Sequence, residues 1–458
     1  MAKKKLFGTD GIRGLVNEEP MTAQTILQVG QALGCVIQTN RLFKGRPKVV
    51  IGKDTRLSGY TFETALQAGL CSMGIDVLLI GPVPTPAVAF VADNMRAEAG
   101  IMITASHNPF FDNGIKIFTS KGFKLDSSYE KQIQEMVYHG FDFEKYLPSA
   151  KEVGRAKRVE DAPGRYISSV KQHFLHDTTL DGVKIVLDCA HGASYKVAPL
   201  IFEELGADVV KVGCQPDGLN INEGVGALYP ENLVAKVKTE NADLGIAFDG
   251  DGDRVMAVDK NGKVYDGDDF LSILMEDASL QPDLHRGIVG TLMTNYGVES
   301  KCERQNIPFY RADVGDRHVV ELLKKKRCVL GGEPSGHLVY LSKSTTGDGL
   351  LSAILLLNVL IGNNKNLDAF SDSFERYPQA LTSIKVKEKK PIDELPKIVK
   401  AIEYANKKLK GNGRTLTRYS GTENKIRVMV ESSNKDLMDQ VMADLCEAVE
   451  KELGVSAA

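Results

Sequence analysis

Leu244-Gly-Ile-Ala-Phe-Asp-Gly-Asp-Gly-Asp-Arg254 is the stretch of sequence that decides the fold. Its first five residues form a continuous apolar run, which predicts a buried strand in an α/β sheet. Three aspartates then alternate with glycines, and the glycines let the backbone fold tightly enough for the carboxylates to converge on one ion. A small set of oxygen ligands favours Mg²⁺. The stretch therefore predicts a metal-binding loop at the end of a sheet strand.

Two other interpretations of the aspartate loop are weaker. A calcium EF-hand loop also begins with alternating aspartates, but it needs glycine at its sixth position and glutamate at its twelfth. Those positions are Arg254 and Lys260 here, so the EF-hand is excluded. A surface turn without a metal would leave three clustered carboxylates repelling one another.

The pattern of a strand, a glycine-containing loop, a helix and further strands occurs three times along the chain. Apolar strands that alternate with helices predict βαβ units with helices on both sheet faces. Loops after the strand ends are where such sheets bind ligands. The alternative is three ordinary α/β domains with unrelated loops. The first strands begin at Lys48, Lys184 and Gly287; the second strands are Asp76–Ile80, Asp208–Val212 and Ile307–Tyr310; the third strands are Gly100–Thr104, Leu244–Phe248 and Cys328–Leu330.

The predicted fold is α/β, with three similar mixed α/β domains whose sheets are covered by helices and a smaller α+β C-terminal domain, all around a central cleft. In the C-terminal part we expect a strand at 380–387, helices at 395–409 and 434–453, and a strand, loop and strand within 413–431. We expect the domains to span residues 1–155, with the Ser106 loop, 156–260, with the aspartate loop, 261–375, with the Glu333 loop, and 376–458, with the Arg418 loop.

Composition limits the class of protein. The 458 residues are 43% hydrophobic and 26% charged with a net charge of −3, which is typical of a soluble globular protein. There is no basic excess for binding nucleic acid, and the longest apolar run, Leu350–Ile361, is too short to span a membrane. Seven cysteines without a C-x-x-C pair favour a reducing cytoplasm. The sequence leaves a monomer and a homodimer equally open.

A serine loop is the candidate nucleophile. Thr104-Ala-Ser-His-Asn-Pro109 places Ser106 where a strand ends, with His107 beside it and a turn after it. A serine needs a base or a metal to act as a nucleophile or phosphate carrier. Lys116 follows in a glycine-containing turn. Taken alone, the loop is equally consistent with a turn that caps its own backbone.

Two later loops contain groups suited to a sugar phosphate. Glu333-Pro-Ser-Gly-His337 offers a carboxylate, a hydroxyl and an imidazole for sugar hydroxyls or acid–base chemistry. Arg418-Tyr-Ser-Gly-Thr-Glu423, with Arg427, offers guanidinium forks and backbone N–H groups for a phosphate dianion. The alternatives are a turn whose side chains satisfy its own backbone and a solvated strand connection.

With these four loops in this order, the chain resembles the α-D-phosphohexomutase superfamily over essentially its full length. Phe7–Gly14, Gly52–Gly59 and Gly315–Arg317 are typical of its bacterial phosphoglucosamine mutase branch. The resemblance implies an intramolecular phosphotransferase (an isomerase) that interconverts glucosamine 6-phosphate and glucosamine 1-phosphate. It would act through a phosphoserine and a hexosamine 1,6-bisphosphate, with one Mg²⁺ per chain, and would feed UDP-N-acetylglucosamine and peptidoglycan synthesis.

The resemblance also implies a role for each site residue. Ser106 would carry the phosphate, and its oxygen would share Mg²⁺ with Asp249, Asp251 and Asp253. His107 and Arg254 would steady the phosphoserine, and Lys116 and Arg13 would line the transfer site. The sugar would be held by Glu333, Ser335 and His337, and its non-reacting phosphate by Arg418, Ser420, Gly421, Thr422 and Arg427.

Three positions depart from the branch pattern: Pro334, where Asn or Gln is usual, and Tyr419 and Asn424 in the phosphate loop. Pro334 removes a donor next to the sugar, which weakens the expectation of an amino-sugar preference. A phosphomannomutase or phosphoglucomutase is therefore the first alternative. The others are a phosphatase with Asp249 as its nucleophile and a sugar-phosphate binding protein without catalysis.

Overall fold

The computed structural model describes residues 5–40, 42–420 and 424–454 of the chain. The described parts of Met1–Thr291 and Tyr310–Ser371 form one compact unit, and those of Leu292–Phe309 and Asp372–Ala458 form a second. Among the described residues, no helix combines the length and apolarity needed to cross a bilayer. The apolar run noted in the sequence lies in the 14-residue helix Gly349–Gly362.

The first sheet of the larger unit has six strands. Its central strands are parallel and almost wholly buried, because their side chains are covered on both faces by helices. The strands are β1 (Ile12–Leu15), β2 (Lys48–Lys53), β3 (Asp76–Pro82), β4 (Ala99–Ile103), β5 (Asp112–Thr119) and β6 (Ala156–Arg158), and the helices are α1 (Ala23–Thr39), α2 (Gly59–Ser72), α3 (Thr85–Asn94) and α4 (Ser127–Tyr138). The strand order is β1-β5-β4-β2-β3-β6.

The second sheet has five strands. They are β7 (Lys184–Asp188), β8 (Asp208–Val212), β9 (Leu244–Phe248), β10 (Val255–Asp259) and β11 (Val264–Tyr265), in the order β11-β10-β9-β7-β8. Strand β7 lies parallel to both β8 and β9, whereas β10 is antiparallel to β9. The helices of this segment are α5 (Ala162–Lys171), α6 (Val197–Glu204) and α7 (Pro230–Glu240).

The third sheet has four strands. Helix α8 (Gly267–Leu274) precedes it, and the strands are β12 (Ile288–Thr291), β13 (Phe309–Ala312), β14 (Leu330–Gly332) and β15 (Leu338–Tyr340), in the order β13-β12-β14-β15. The other helices of this segment are α9 (Tyr296–Arg304), which falls in the second unit, α10 (Asp316–Lys326) and α11 (Gly349–Gly362).

Each of the three sheets contains the same arrangement of four strands, which confirms the predicted internal repeat. In each arrangement the second strand of the repeat pairs with the first, the first with the third, and the third with an antiparallel fourth strand. The three arrangements are β3-β2-β4-β5, β8-β7-β9-β10 and β13-β12-β14-β15. The fourth strand was not predicted. The three candidate loops are therefore tight connections between the third and fourth strands.

Two strands of the third repeat begin two residues later than expected. Cys328 donates its backbone N–H to the Leu323 carbonyl, which extends the end of α10 and delays β14. In the same way, Ile307 donates its backbone N–H to the Cys302 carbonyl at the end of α9, so β13 begins only at Phe309. The predictions of strands at Cys328–Leu330 and Ile307–Tyr310 were wrong by this shift.

The second unit contains a three-stranded antiparallel sheet packed against two helices. The strands are β16 (Gln379–Lys385), β17 (Gly413–Tyr419) and β18 (Lys425–Ser432), in the order β16-β18-β17, and the helices are α12 (Pro396–Leu409) and α13 (Lys435–Leu453). Ile398, Val428 and Leu445 lie in its core. This smaller α+β domain and its two helices confirm the prediction.

Candidate active site

The aspartate loop connects β9 to β10 and is almost wholly buried. One oxygen from each of Asp249, Asp251 and Asp253 lies within 4.8 Å of the others. Asp249 Oδ1 accepts the backbone N–H of Arg254 at 3.2 Å, which closes the loop on itself. Gly252 has a φ of +70°, and a Cβ there would lie 2.5 Å from a serine hydroxyl, so this position requires glycine.

The same loop fits a metal ion. Asp251 Oδ1 accepts no hydrogen bond from the described residues, and Asp253 Oδ1 makes only the longer contacts with His337 Nδ1 at 3.6 Å and Arg254 Nε at 3.9 Å. Buried carboxylate oxygens are stable only when paired, protonated or bound to a cation. Three convergent carboxylates, two of them with an oxygen left over, provide the ligand set of a hard divalent cation.

Ser106 lies beside the aspartate loop in a constrained backbone conformation. Its φ is +52°, in the left-handed region that a side chain with a Cβ seldom adopts. Its backbone N–H donates to Thr104 Oγ1 at 2.9 Å, and its carbonyl accepts from Arg56 Nη2 at 3.2 Å and Asn222 Nδ2 at 3.0 Å. These bonds leave the Ser106 hydroxyl free to donate to Asp249 Oδ2 at 2.8 Å.

His107 is neutral at physiological pH. Burial, followed by the charges of Arg254 and Arg13, lowers the pKa of its imidazole to about 4. Its Nδ1 lies 3.5 Å from Ser106 Oγ, at the outer limit of a hydrogen bond. A neutral imidazole carries one N–H donor and one acceptor. The ring can therefore exchange a single hydrogen bond with a group on the serine.

Lys116 lies buried on β5 and not in the turn expected from the sequence, because the segment pairs with both β1 and β4. Its Nζ donates to Asp251 Oδ2 at 2.8 Å and to Asp253 Oδ2 at 2.9 Å, and it lies 3.5 Å from Asp10 Oδ2. Burial alone would lower the pKa of Lys116, but Asp10, Asp251 and Asp253 outweigh it and raise the pKa well above its usual value. Lys116 therefore stays protonated while buried.

Two aspartates of the loop have pKa values shifted in opposite directions. Burial and the charges of Asp253 and Asp251 raise the pKa of Asp249 well above its usual range. Burial also raises the pKa of Asp253, but Lys116 and His337 outweigh it and hold the pKa well below its usual range. The raised pKa means that Asp249 holds a proton more tightly than an ordinary carboxyl group, so a cation at this loop competes with that proton.

The Glu333 loop is fixed against the second sheet. An isolated β-bridge joins His337 to Arg254, and Val255 donates its backbone N–H to the Gly336 carbonyl at 3.1 Å. The Pro334 carbonyl accepts the N–H of Gly267 at the start of α8. Ser335, half-buried, lies between these fixed points. The structure thus brings the predicted sugar-binding loop next to the aspartate loop.

Glu333 and His337 are both held by their neighbours. Glu333 Oε1 accepts the backbone N–H of Gly315 at 2.9 Å. Burial lowers the pKa of His337, but Asp253, Asp316 and Glu333 outweigh it and raise the pKa to about 9. His337 is therefore an imidazolium at neutral pH, unlike His107.

Several residues of this site were missed by the sequence analysis. Asp10, Arg56 and Asp316 belong to the three motifs noted above, but no role was assigned to them. Thr85 donates its hydroxyl to Asp251 Oδ2 at 2.6 Å, and no local pattern marks it. Lys124 contacts Asp10 and Asp316 and is equally unmarked.

The predicted phosphate loop lies in the second unit. Arg418 on β17 and Arg427 on β18 are directly opposite in the antiparallel register, so their side chains share one sheet face. Like charges directly opposite destabilise a sheet, and an anion between them removes that cost. Ser420 donates its backbone N–H to the Lys425 carbonyl at 2.8 Å. Gly421 and Thr422 lie outside the described residues.

Comparison with known proteins assigns the family. Four consecutive segments match the phosphoglucomutase/phosphomannomutase alpha/beta/alpha domains I (residues 4–141), II (164–262) and III (266–377) and the C-terminal domain (381–448). The chain belongs to the phosphoglucomutase/phosphomannomutase family. The predicted superfamily is confirmed. The predicted domain limits at 155, 260 and 375 lie at or beside the gaps between the matched segments and stay a prediction.

Relatives in the phosphoglucomutase/phosphomannomutase family match over nearly the whole chain. The phosphoglucosamine mutase of Chlamydia felis is 49% identical, covering 99% of this chain and 98% of its own length. That of Anaeromyxobacter dehalogenans is 46% identical, covering 97% and 99%. A solved structure of a phosphoglucomutase/phosphomannomutase family protein from Burkholderia thailandensis superimposes with a TM-score of 0.80 at 22% identity. The match covers 98% of this chain and 99% of that chain, and it supports the shared fold.

Proposed function

We propose that this protein is an isomerase that interconverts glucosamine 6-phosphate and glucosamine 1-phosphate. The hydrogen bond from Ser106 to Asp249, inside a buried acidic loop, is the observation that carries the proposal. The 46% and 49% identity to phosphoglucosamine mutases supports the choice of an amino sugar. A serine hydroxyl needs a base or a metal beside it to act as a phosphate carrier, and the acidic loop next to Ser106 is suited to hold such a metal.

The reaction runs in two phosphoryl transfers. In the first, the bond between phosphorus and Ser106 Oγ breaks while a bond to the sugar hydroxyl oxygen forms, giving the 1,6-bisphosphate. In the second, the other phosphate of the bisphosphate returns to Ser106 Oγ. One sugar hydroxyl loses a proton and the other gains one, so the cycle consumes no net proton and regenerates the phosphoserine.

The acidic loop, through the cation that it would hold, and its basic neighbours stabilise the negative charge of the phosphoryl group during transfer. Asp249, Asp251 and Asp253, together with a phosphate oxygen on Ser106, would hold Mg²⁺. When bound, Mg²⁺ neutralises negative charge on the phosphoryl oxygens. The protonated Lys116 adds a fixed positive charge at the same place, because a buried cation acts with little screening.

The remaining site residues have proposed roles in binding. The half-buried Arg254 and the neutral His107 steady the phosphate on Ser106, and Arg13 lines the transfer site. Glu333, Ser335 and His337 bind sugar hydroxyls. In the second unit, the non-reacting phosphate of the sugar is bound by Arg418, Ser420, Gly421, Thr422 and Arg427.

The cellular setting follows from the reaction. An amino-sugar 1-phosphate is the form that a nucleotidyl transferase consumes, so the product would feed UDP-N-acetylglucosamine and peptidoglycan precursors in the cytoplasm. The substrate is a free small molecule, and neither nucleic acid nor a membrane is needed.

We also propose domain limits near residues 155, 260 and 375. Limited proteolysis with mass spectrometry should cut within a few residues of them.

The test compares kcat/KM for glucosamine 6-phosphate, glucose 6-phosphate and mannose 6-phosphate, with Mg²⁺ and a priming hexose bisphosphate. The amino sugar should be preferred, and Ser106→Ala should abolish turnover. Preference for a neutral hexose would keep the chemistry but reassign the substrate, with Pro334 as the cause to examine. Full activity in Ser106→Ala combined with loss in Asp249→Ala would instead identify an aspartyl-phosphate phosphatase.

A further inference from the structure

Three carboxylates, two lysine ammonium groups and the imidazole of His337 form a closed ring of alternating acidic and basic side chains beside Ser106. Lys116 Nζ lies 2.9 Å from Asp253 and 3.5 Å from Asp10. Asp10 is in turn paired with Lys124 through its other carboxylate oxygen. Half of the ring is thus a chain of ion pairs that runs from the aspartate loop to Lys124.

The other half of the ring returns to the aspartate loop through the third sheet. Lys124 Nζ lies 2.6 Å from Asp316 Oδ2, and the same Asp316 oxygen lies 3.8 Å from His337 Nε2. His337 Nδ1 lies 3.6 Å from Asp253 Oδ1, which closes the circuit. Lys116, Lys124 and His337 therefore each lie between two carboxylates, and each carboxylate lies between two nitrogen-bearing side chains.

The ring connects all three α/β segments of the larger unit. Lys116, Asp10 and Lys124 come from the first, Asp253 from the second, and Asp316 and His337 from the third. The side chains of Lys116, Asp253 and His337 are buried, whereas those of Lys124 and Asp316 are each 13% exposed and that of Asp10 is 28% exposed. An isolated bridge between Phe118 and Lys124 fixes the backbone of the lysine where the chain leaves β5. Such an arrangement couples the position of each charge to its neighbours.

We infer that Lys124 is a positioning residue of the mutase reaction, acting on Lys116 through Asp10 and on His337 through Asp316. The inference rests on the proposed function, since Lys116 and His337 matter only if phosphate and sugar meet at this site. Lys124 itself touches neither the aspartate loop nor Ser106. Its place is the far side of the ring, opposite Asp253.

Removal of the Lys124 charge has a defined structural consequence. Asp10 and Asp316 would then face each other without the cation between them, and two partly buried carboxylates in that position repel. Each would move toward its remaining partner or toward solvent, and Lys116 and His337 would shift with them. A displacement of about 1 Å in a positioning group typically costs about 100-fold in rate.

A second ion pair joins the same segments without Lys124. Arg317 forms a two-pronged pair with Glu130, with Nη1 at 3.0 Å from Oε2 and Nη2 at 2.5 Å from Oε1. This pair joins the same first and third segments, one residue along the chain from Asp316, and lies outside the ring. It is therefore the matched control for a purely structural role.

The experiment compares Lys124→Met with Arg317→Gln in the full-length protein. We expect Lys124→Met to lower kcat about 10- to 100-fold with a smaller change in KM, and Arg317→Gln to stay within about two-fold of the wild-type kcat. An equal loss of kcat in both variants would mean that Lys124 only fastens the segments, and would overturn the inference. A wild-type kcat in Lys124→Met would do the same.

A second readout separates this inference from the proposed function. Labelled hexose bisphosphate should phosphorylate Ser106 in both the wild type and Lys124→Met, because the serine and its aspartate loop are unchanged. Absence of label on Ser106 in the wild type would overturn the proposed function instead. Should Lys124→Met fail to fold, Asp316→Asn breaks two ring contacts while keeping shape, and Lys124→Arg keeps the charge. The first must then show the kcat loss and the second must recover most of the activity.

Discussion

The Ser106 hydroxyl donates a 2.8 Å hydrogen bond to Asp249 Oδ2 across 143 positions of sequence. The two residues lie on corresponding loops of the first and second sheets, each between the third and fourth strands of its repeat. The position of the serine oxygen is thus set by another segment of the chain. Because Asp249 holds a proton more tightly than an ordinary carboxyl group, the bond also links the serine to the protonation of the metal-type loop.

The first prediction concerns the pH dependence of metal binding. The pKa of Asp249 is raised by burial and by its two aspartate neighbours, and a cation binds only the deprotonated carboxylate. The apparent affinity for Mg²⁺ should therefore rise with pH, and binding should release protons. Titration calorimetry at about pH 6 and about pH 8, in buffers of different ionisation enthalpy, measures both quantities.

Two variants complete that test. Asp249→Asn removes the titrating group, so it should bind Mg²⁺ more weakly and without the proton release assigned to Asp249. Glu231→Gln, an exposed acid at the start of α7, should behave as the wild type. An affinity that does not change with pH, or protons taken up on binding, would contradict the prediction.

The second prediction concerns the close approach of Gly250 to the serine loop. A Cβ at Gly250 would lie 2.6 Å from the Ser106 carbonyl oxygen and 2.7 Å from Asn222 Nδ2. Gly250→Ala should push the serine away from Asp249, lowering kcat about 10- to 100-fold and the free energy of unfolding by about 1–3 kcal/mol. Steady-state kinetics and urea unfolding give the two values.

Gly164→Ala is the control for Gly250→Ala. Gly164 lies in helix α5, and a Cβ there would meet no atom within 4 Å outside the backbone of its own helix and its chain neighbours. Alanine there should leave kcat unchanged and raise the free energy of unfolding by about 0.5–1 kcal/mol, since glycine disfavours helix. If both alanine variants kept full activity, the close contact at Gly250 would not control the serine position.

The sequence was sufficient to predict those parts of the fold and site that depend on residue type and local spacing. The repeat placed the loops of Ser106 and Asp249 at corresponding strand ends, whereas a place for Lys116 beside them was implied only by the resemblance to the superfamily. The repeat itself could be predicted because buried parallel strands are read as continuous apolar runs. These residues are the ones that the structure brings together.

Other parts of the site depend on contacts that no local pattern records. Lys124 meets Asp316 across 192 positions, and a lone lysine after a strand is indistinguishable from a solvated one. The antiparallel fourth strands were missed because short apolar segments after a polar loop carry little periodic signal. The delayed starts of β13 and β14 depend on backbone bonds at the preceding helix ends, which side-chain patterns do not specify.

The third prediction concerns the opposed arginines of the second unit. Arg418 and Arg427 face each other across two strands, and an anion between them would accept hydrogen bonds from both. Arg427→Ala should raise KM for the sugar phosphate about 10- to 100-fold, the size expected for a charge-assisted bond, with a smaller effect on kcat. Lys400→Ala, on the exposed side of α12, should leave KM unchanged. An unchanged KM in Arg427→Ala would remove this residue from the phosphate set.

The last prediction concerns Asp348, the buried N-cap of α11. Its Oδ1 accepts the Leu351 backbone N–H at 2.9 Å and the Tyr166 hydroxyl at 2.8 Å. Burial raises its pKa to about 6, although these hydrogen bonds oppose the shift. An unfolded aspartate has a pKa of about 3.9. The folded state thus binds the proton more tightly, and this contribution to stability is fully present below about pH 4 and lost as pH rises through about 6.

Asp348→Asn should therefore stabilise the protein relative to the wild type only at higher pH. The amide oxygen can still accept both hydrogen bonds, while the cost of a buried charge, roughly 2–3 kcal/mol, disappears. The difference in free energy of unfolding between variant and wild type should grow from about pH 4 to about pH 7 and then level off. Urea unfolding across this range measures it, and parallel curves for the two proteins would mean that Asp348 does not titrate there.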